Sequence, residues 1–152
     1  MEKENHMALH EAHNSETTKS WCGPTVVSSI TGRDVARVKD LIRDRRGYKW
    51  LGKEAVKGTT WNDIHHALKH YGYRLDSQSA FFDKERPTLA GWLRMTSKTR
   101  KPDAYYVVNL TDHWVVIHGR KFCDSLTKGK PVFLRSAPGR RKRVERVYVV
   151  VR

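Results

Sequence analysis

The chain has 152 residues, 38% hydrophobic and 30% charged, which suits one domain around a single buried core. No uninterrupted apolar run approaches the roughly 18 residues of a membrane span, and the polar start Met1-Glu2-Lys3-Glu4-Asn5-His6 lacks the hydrophobic region of a secretory signal. With a net charge of +14 and two cysteines, too few for a disulfide framework, the expectation is a cytoplasmic protein, without membrane association, whose thiols stay reduced.

In chain order, residues 1–13 read as a flexible, acidic N-terminal segment and 14–152 as a single domain. Trp21-Cys22-Gly23-Pro24 then stands directly before a short apolar stretch. Pro24 suits the first turn of a helix, where its missing N–H is not needed, and Thr25-Val26-Val27-Ser28-Ser29-Ile30 continues that helix until Gly32 caps it. Cys22 therefore falls at a helix N-terminus. Asp34 caps a second helix with Val35, Val38, Leu41 and Ile42 on one stripe, ending near Arg46-Gly47, and that stripe is expected to pack on the Cys22 helix. Residues 48–58 read as a loop. Thr60 caps a third helix, with Asp63 in its first turn and Trp61, Ile64, Ala67, Leu68 and Tyr71 at spacings of three and four, and Gly72 ends it.

Residues 73–77 read as a short strand, and Pro87 or Thr88 opens a further helix with Leu89, Trp92 and Leu93 inward. A basic loop over 96–102 precedes strand signals at 104–110, 113–118, 121–124, 131–134 and 144–151. Helices first and an antiparallel sheet afterwards is an α+β order. No repeat or low-complexity tract interrupts it.

The chemistry that this layout suggests is that of a thiol nucleophile. A cysteine attacks as thiolate, and an unperturbed thiol of pKa about 8.5 is mostly protonated at neutral pH. The dipole at a helix N-terminus contributes about one pKa unit, so a neighbouring imidazolium must supply the larger share, and a third group must hold the imidazole tautomer. His113 is the candidate base, because Trp114-Val115-Val116-Ile117 behind it reads as a buried strand that would fix the ring. Asp124 is the candidate orienter: after Gly119-Arg120 the chain turns, and 121–124 reads as the antiparallel partner, whose open end returns to the start of the first strand. Cys123, beside Phe122 on that strand, reads as a core residue. The plainer alternatives are a structural Cys22, a hydrogen-bonded core His113 and an Asp124-Ser125 turn signal.

At these residues the chain resembles the papain-like cysteine peptidases, especially small bacterial and phage forms of the peptidase C39-like kind and, more loosely, Josephin-type deubiquitinases. Cys-Gly-Pro at a helix start, His-Trp at a strand start and Asp-Ser on the next strand follow the family order. The resemblance covers most of residues 14 to 134 and implies a papain-like fold: helices carrying Cys22, packed on a twisted antiparallel sheet carrying His113 and Asp124. It implies no cofactor, a protein or peptide substrate and, for a phage protein, a place in the host cytoplasm. One departure stands out, since Glu16 holds the position where such peptidases usually have the Gln that completes the oxyanion hole. A carboxylate would repel an oxyanion, so Asn14, beside the Cys22 backbone N–H, is the expected substitute donor.

Charge is distributed unevenly. Residues 1–18 carry net −3, 33–57 net +5 and 135–152 net +6. The last stretch, with Arg135, Arg140, Arg141, Lys142, Arg143 and Arg146, would attract a polyanion such as nucleic acid or an acidic protein. The pairs His66/His70 and His10/His13 lack a third ligand at recognisable spacing, and His113 and His118 fall on opposite faces of a strand, so no metal site is expected. The function expected is a cysteine-dependent acyl-transfer enzyme acting on or near an acidic partner. The alternative is a basic binding module of phage type that uses the fold without catalysis.

Overall fold

The computed structural model describes residues 8–15, 22–47 and 58–152; Glu16, Trp21 and most of the 48–58 loop lie outside the described residues. Caps and glycines set the helix limits much as the sequence suggests. Helix α1 spans Cys22–Thr31, after which Gly32 turns away at φ 74° and closes its N–H on the Ser28 carbonyl. Helix α2, Val35–Arg46, starts with the Asp34 side chain accepting from the Ala36 N–H and stops at the left-handed Gly47. Helix α3, Trp61–His70, opens on a reciprocal capping box between Thr60 and Asp63. Helix α4, Leu89–Met95, is capped by Thr88.

Helix α1 is the innermost element of the helical layer, with every residue from Gly23 to Ile30 buried. A helix enclosed on all sides must satisfy its polar side chains internally. Ser29 turns its hydroxyl back onto the Val26 carbonyl at 2.9 Å, and Thr31 onto that of Val27 at 2.9 Å. Helices α2 and α3 are joined by a buried carboxylate: Asp63 binds Arg45 at 2.8 Å and also pairs with Arg46. Burial pushes the Asp63 carboxyl up, but Arg46 and Thr60 outweigh it and hold it below the usual carboxylate range.

The strands are β1 (Arg74–Ala80), β2 (Tyr105–Leu110), β3 (His113–His118), β4 (Lys121–Cys123), β5 (Val132–Phe133) and β6 (Val144–Val151). They form one antiparallel sheet of order β1-β6-β2-β3-β4-β5. One face packs Tyr105, Val107, Trp114, Val116 and Tyr148 against Val26, Val27, Ile30, Ile42, Ile64 and Leu68 of α1 to α3. The other packs Tyr106, Val108, Val115, Ile117 and Val147 against Leu89, Trp92 and Leu93 of α4. Both faces of β2 and β3 are covered, which is why these strands are nearly continuous apolar runs rather than alternating ones. Fully burying one such aliphatic side chain is worth about 1.5–3 kcal/mol, so the central strands form a stiff platform.

Strand β1 runs on to Ala80, past the expected limit of 77, because it pairs with β6 across a register shift between Ser77 and Ser79. Its outer half is polar and exposed, so tertiary pairing rather than local pattern makes it a strand. The short 3-10 turns Asp83–Glu85 and Leu134–Ser136 were likewise unexpected. Residues 8–13, expected within a flexible segment, lie along the domain as an arm. Tyr105 donates its hydroxyl to the Ala8 carbonyl at 3.0 Å. The His10 N–H reaches Ser29 at 2.8 Å, the Ala12 N–H reaches Gly129 at 2.7 Å, and the Val35 N–H reaches back to the His13 carbonyl at 2.7 Å. Among the described residues no helix is long and apolar enough to cross a membrane.

Candidate active site

Three local features bring the thiol, imidazole and carboxyl together. Cys22 is the first residue of α1, so its backbone N–H is among those that the helix leaves without an internal partner. His113 opens β3 immediately after Asp112, whose φ of 55° turns the chain sharply out of β2. Asp124 follows the last residue of β4 and is locked there: its Oδ1 accepts from the Thr127 N–H at 2.9 Å and its carbonyl from the Gly129 N–H at 3.1 Å. The other carboxylate oxygen, Oδ2, lies 2.7 Å from His113 Nε2. Asp124 is fully buried and His113 only 9% exposed, so this contact is shielded from water.

Since Nε2 is engaged by Asp124, Nδ1 is the ring nitrogen left for Cys22, with which His113 interacts by hydrogen bonding and charge. Burial pushes the Cys22 thiol up, but the His113 hydrogen bond, the Trp114 backbone N–H, the imidazolium charge and the Gly23 N–H together outweigh it. The thiol is held below its ordinary value. For His113, burial acts downward, and hydrogen bonds and charge from Asp124 and Cys22 reverse it, raising the ring to about 9. Cys123 has the opposite fate: burial raises it to about 11, despite hydrogen bonds from Ser29 and Thr127. Fully buried within the core, Cys123 sits where the sequence expects it.

The thiol opens onto a cleft of about 450 Å³ whose walls include Thr59, Asn109, Asp112, His113 and Glu145. Among the described residues its charged lining apart from His113 is acidic, against the sign of the whole chain. Glu145 stands 3.8 Å from Arg86, at the edge of ion pairing. Gly23 is required by the wall opposite: a Cβ there would lie 2.3–2.5 Å from the Thr59 side chain. Trp114 fixes Thr59 in turn, donating its indole N–H to the Thr59 carbonyl at 2.8 Å. The Thr59 hydroxyl itself is buried and has no hydrogen-bond partner among the described residues.

Asn14 is not among the residues lining this cleft. Its neighbours are drawn to the start of α2, His13 through the Val35 N–H and Ser15 through Asp34 at 3.1 Å. Thr59, Asn109 and Glu145 were missed because their sequence neighbourhoods mark only a helix start and two strands, and nothing local announces that these elements converge on Cys22. His118 stacks on Tyr105 at 4.4 Å and binds the Ala104 carbonyl at 3.1 Å. Among the described residues no three metal-ligating side chains gather. Of the C-terminal cations, Arg140 and Arg143 bind the carbonyls of Leu134 and Arg86, and Arg135 lies 5.4 Å over the Phe133 ring.

No protein-family model, curated protein or solved structure matches the chain.

Proposed function

We propose that the protein is a papain-like, cysteine-dependent acyl-transfer enzyme. The observation that carries this reading is His113 held between two partners, the Cys22 thiol on one side and the buried Asp124 carboxylate at 2.7 Å on the other. Cys22 attacks the carbonyl carbon of an amide, thioester or isopeptide as thiolate, and the carbonyl π pair moves onto oxygen. The His113 imidazolium gives its proton to the leaving group as the intermediate collapses, leaving Cys22 acylated. Water, deprotonated by His113, then releases the acid, and an amine in its place completes a transfer. Asp124 keeps the ring oriented and stabilises its positive charge.

The acidic lining of the cleft favours a cationic side chain beside the reacting carbonyl, while the basic C-terminal residues would serve an acidic partner elsewhere on the surface. The test is a pre-steady-state reaction with amino-acyl 4-nitrophenyl esters in excess over the protein. The expected result is a burst of one nitrophenolate per chain that Cys22→Ala abolishes, with a lysyl ester reacting at least about tenfold faster than a glutamyl ester, since a net preference of about 1.4 kcal/mol for the cation is a factor of ten. A burst that survives Cys22→Ala, or none at all, would favour the non-catalytic binding module. Equal rates for the two esters would remove the cationic preference alone.

A further inference from the structure

A tetrahedral oxyanion on a Cys22-bound acyl group needs a second donor besides the Cys22 N–H. Glu16 is unsuited by charge and Asn14 is not in the cleft lining. The cleft does hold a hydroxyl donor. Thr59 lines the same cleft as Cys22 and His113, and its side chain packs directly on Gly23, the residue after the nucleophile. Its Oγ1 is buried and makes no hydrogen bond to any of the described residues.

A buried hydroxyl left unpaired costs about as much as a lost hydrogen bond, and such groups in folded proteins call for a reason. Here the cost is combined with deliberate positioning. Only glycine at position 23 leaves room for Thr59, and Trp114, next to the catalytic imidazole, holds the Thr59 backbone through its indole N–H. Two neighbours of the reacting groups thus converge on one residue whose hydroxyl bonds to none of the described residues. We infer that Thr59 is the side-chain donor of the oxyanion hole, pairing with the Cys22 backbone N–H to receive the negative oxygen of the tetrahedral intermediate.

A rotation about χ1 between staggered positions can aim the hydroxyl at the oxyanion without moving the backbone. With no competing partner among the described residues, the hydroxyl breaks no hydrogen bond to them when the charge develops. A donor screened from bulk water acts on that charge more strongly than an exposed one. Thr59 thereby fills the role that the sequence alone assigns to Asn14.

The inference rests on the acyl-transfer reading, and two reactions of Cys22 separate the two claims. Alkylation by iodoacetamide displaces iodide at a saturated carbon and forms no oxyanion, whereas acylation by a 4-nitrophenyl ester passes through one. Thr59→Val keeps the shape and removes the donor. It is expected to slow acylation about 100-fold or more, the effect of losing one such donor, while alkylation changes less than about threefold. Thr59→Ser, which keeps the hydroxyl, is expected to recover most of the acylation rate. If Thr59→Val acylates like the wild type, or Thr59→Ser is as slow as Thr59→Val while alkylation stays fast, the inference is overturned and the enzyme reading survives. If Cys22 of the wild type shows neither fast alkylation nor acylation, both fall.

Discussion

Asp124→Ala is expected to slow acylation of Cys22 by about 10³–10⁴-fold, the scale on which catalytic triads lose rate without their carboxylate. Two effects combine in that loss. The imidazole loses the partner that fixes Nε2 at 2.7 Å, so the ring is free to turn away from the thiol. It also loses the negative charge that offsets its burial, so the His113 pKa drops from about 9. The imidazolium that protonates the leaving group is present only below that pKa. Acylation in the wild type should therefore fall as pH rises through about 9, and in the variant this alkaline fall should begin at lower pH. Asp124→Asn, which still offers an oxygen to Nε2–H without the charge, is expected to lie between the two. Pre-steady-state kinetics with amino-acyl 4-nitroanilides, whose amine leaving group needs the imidazolium proton, check all three across pH, and a pH profile unmoved by either substitution would show that Asp124 does not act through His113.

The second large effect concerns the two thiols. Near pH 7 iodoacetamide is expected to label Cys22 at least about 1,000-fold faster than Cys123. At a pKa of about 11, only about one Cys123 molecule in 10⁴ is thiolate at that pH, and the side chain is fully buried in the helical core. Cys22 is partly exposed at the cleft, and its thiolate is favoured by His113 and by the N–H groups of Trp114 and Gly23. Since burial is the largest single influence on the thiol and acts upward, His113→Ala should lose most of the selectivity. Peptide mapping after brief labelling reads the ratio, and comparable slow labelling of both cysteines would be incompatible with an activated nucleophile.

How much of this was legible in the sequence depends on whether the signal was local. Asp34, Gly47, Thr60 and Gly72 mark helix ends through side-chain chemistry or positive φ that neighbours in sequence suffice to specify. The His113–Asp124 contact was foreseeable for a related reason, since a tight hairpin between β3 and β4 must bring its open ends together. The approach of Cys22 rested instead on the resemblance of three short motifs, because nothing in periodicity says which helix end meets which strand. Thr59 shows the limit most clearly. In sequence it is one of two threonines before a helix, and Thr60 carries the visible capping role. That Thr59 faces Gly23 follows only from the packing of α3 against α1 and β3. Likewise the pairing of β1 with β6, some 70 residues later, and the arm formed by residues 8–13 depend on long-range bonds that leave no local pattern.

The central claim is that His113 holds Cys22 as a thiolate, and the most direct measurement is the ultraviolet absorbance of that thiolate across about pH 4–10, taken as the difference between wild type and Cys22→Ser. The expected result is a transition below the ordinary thiol value of about 8.5, displaced upward in His113→Ala. A transition at or above that value, unchanged when His113 is replaced, would contradict it.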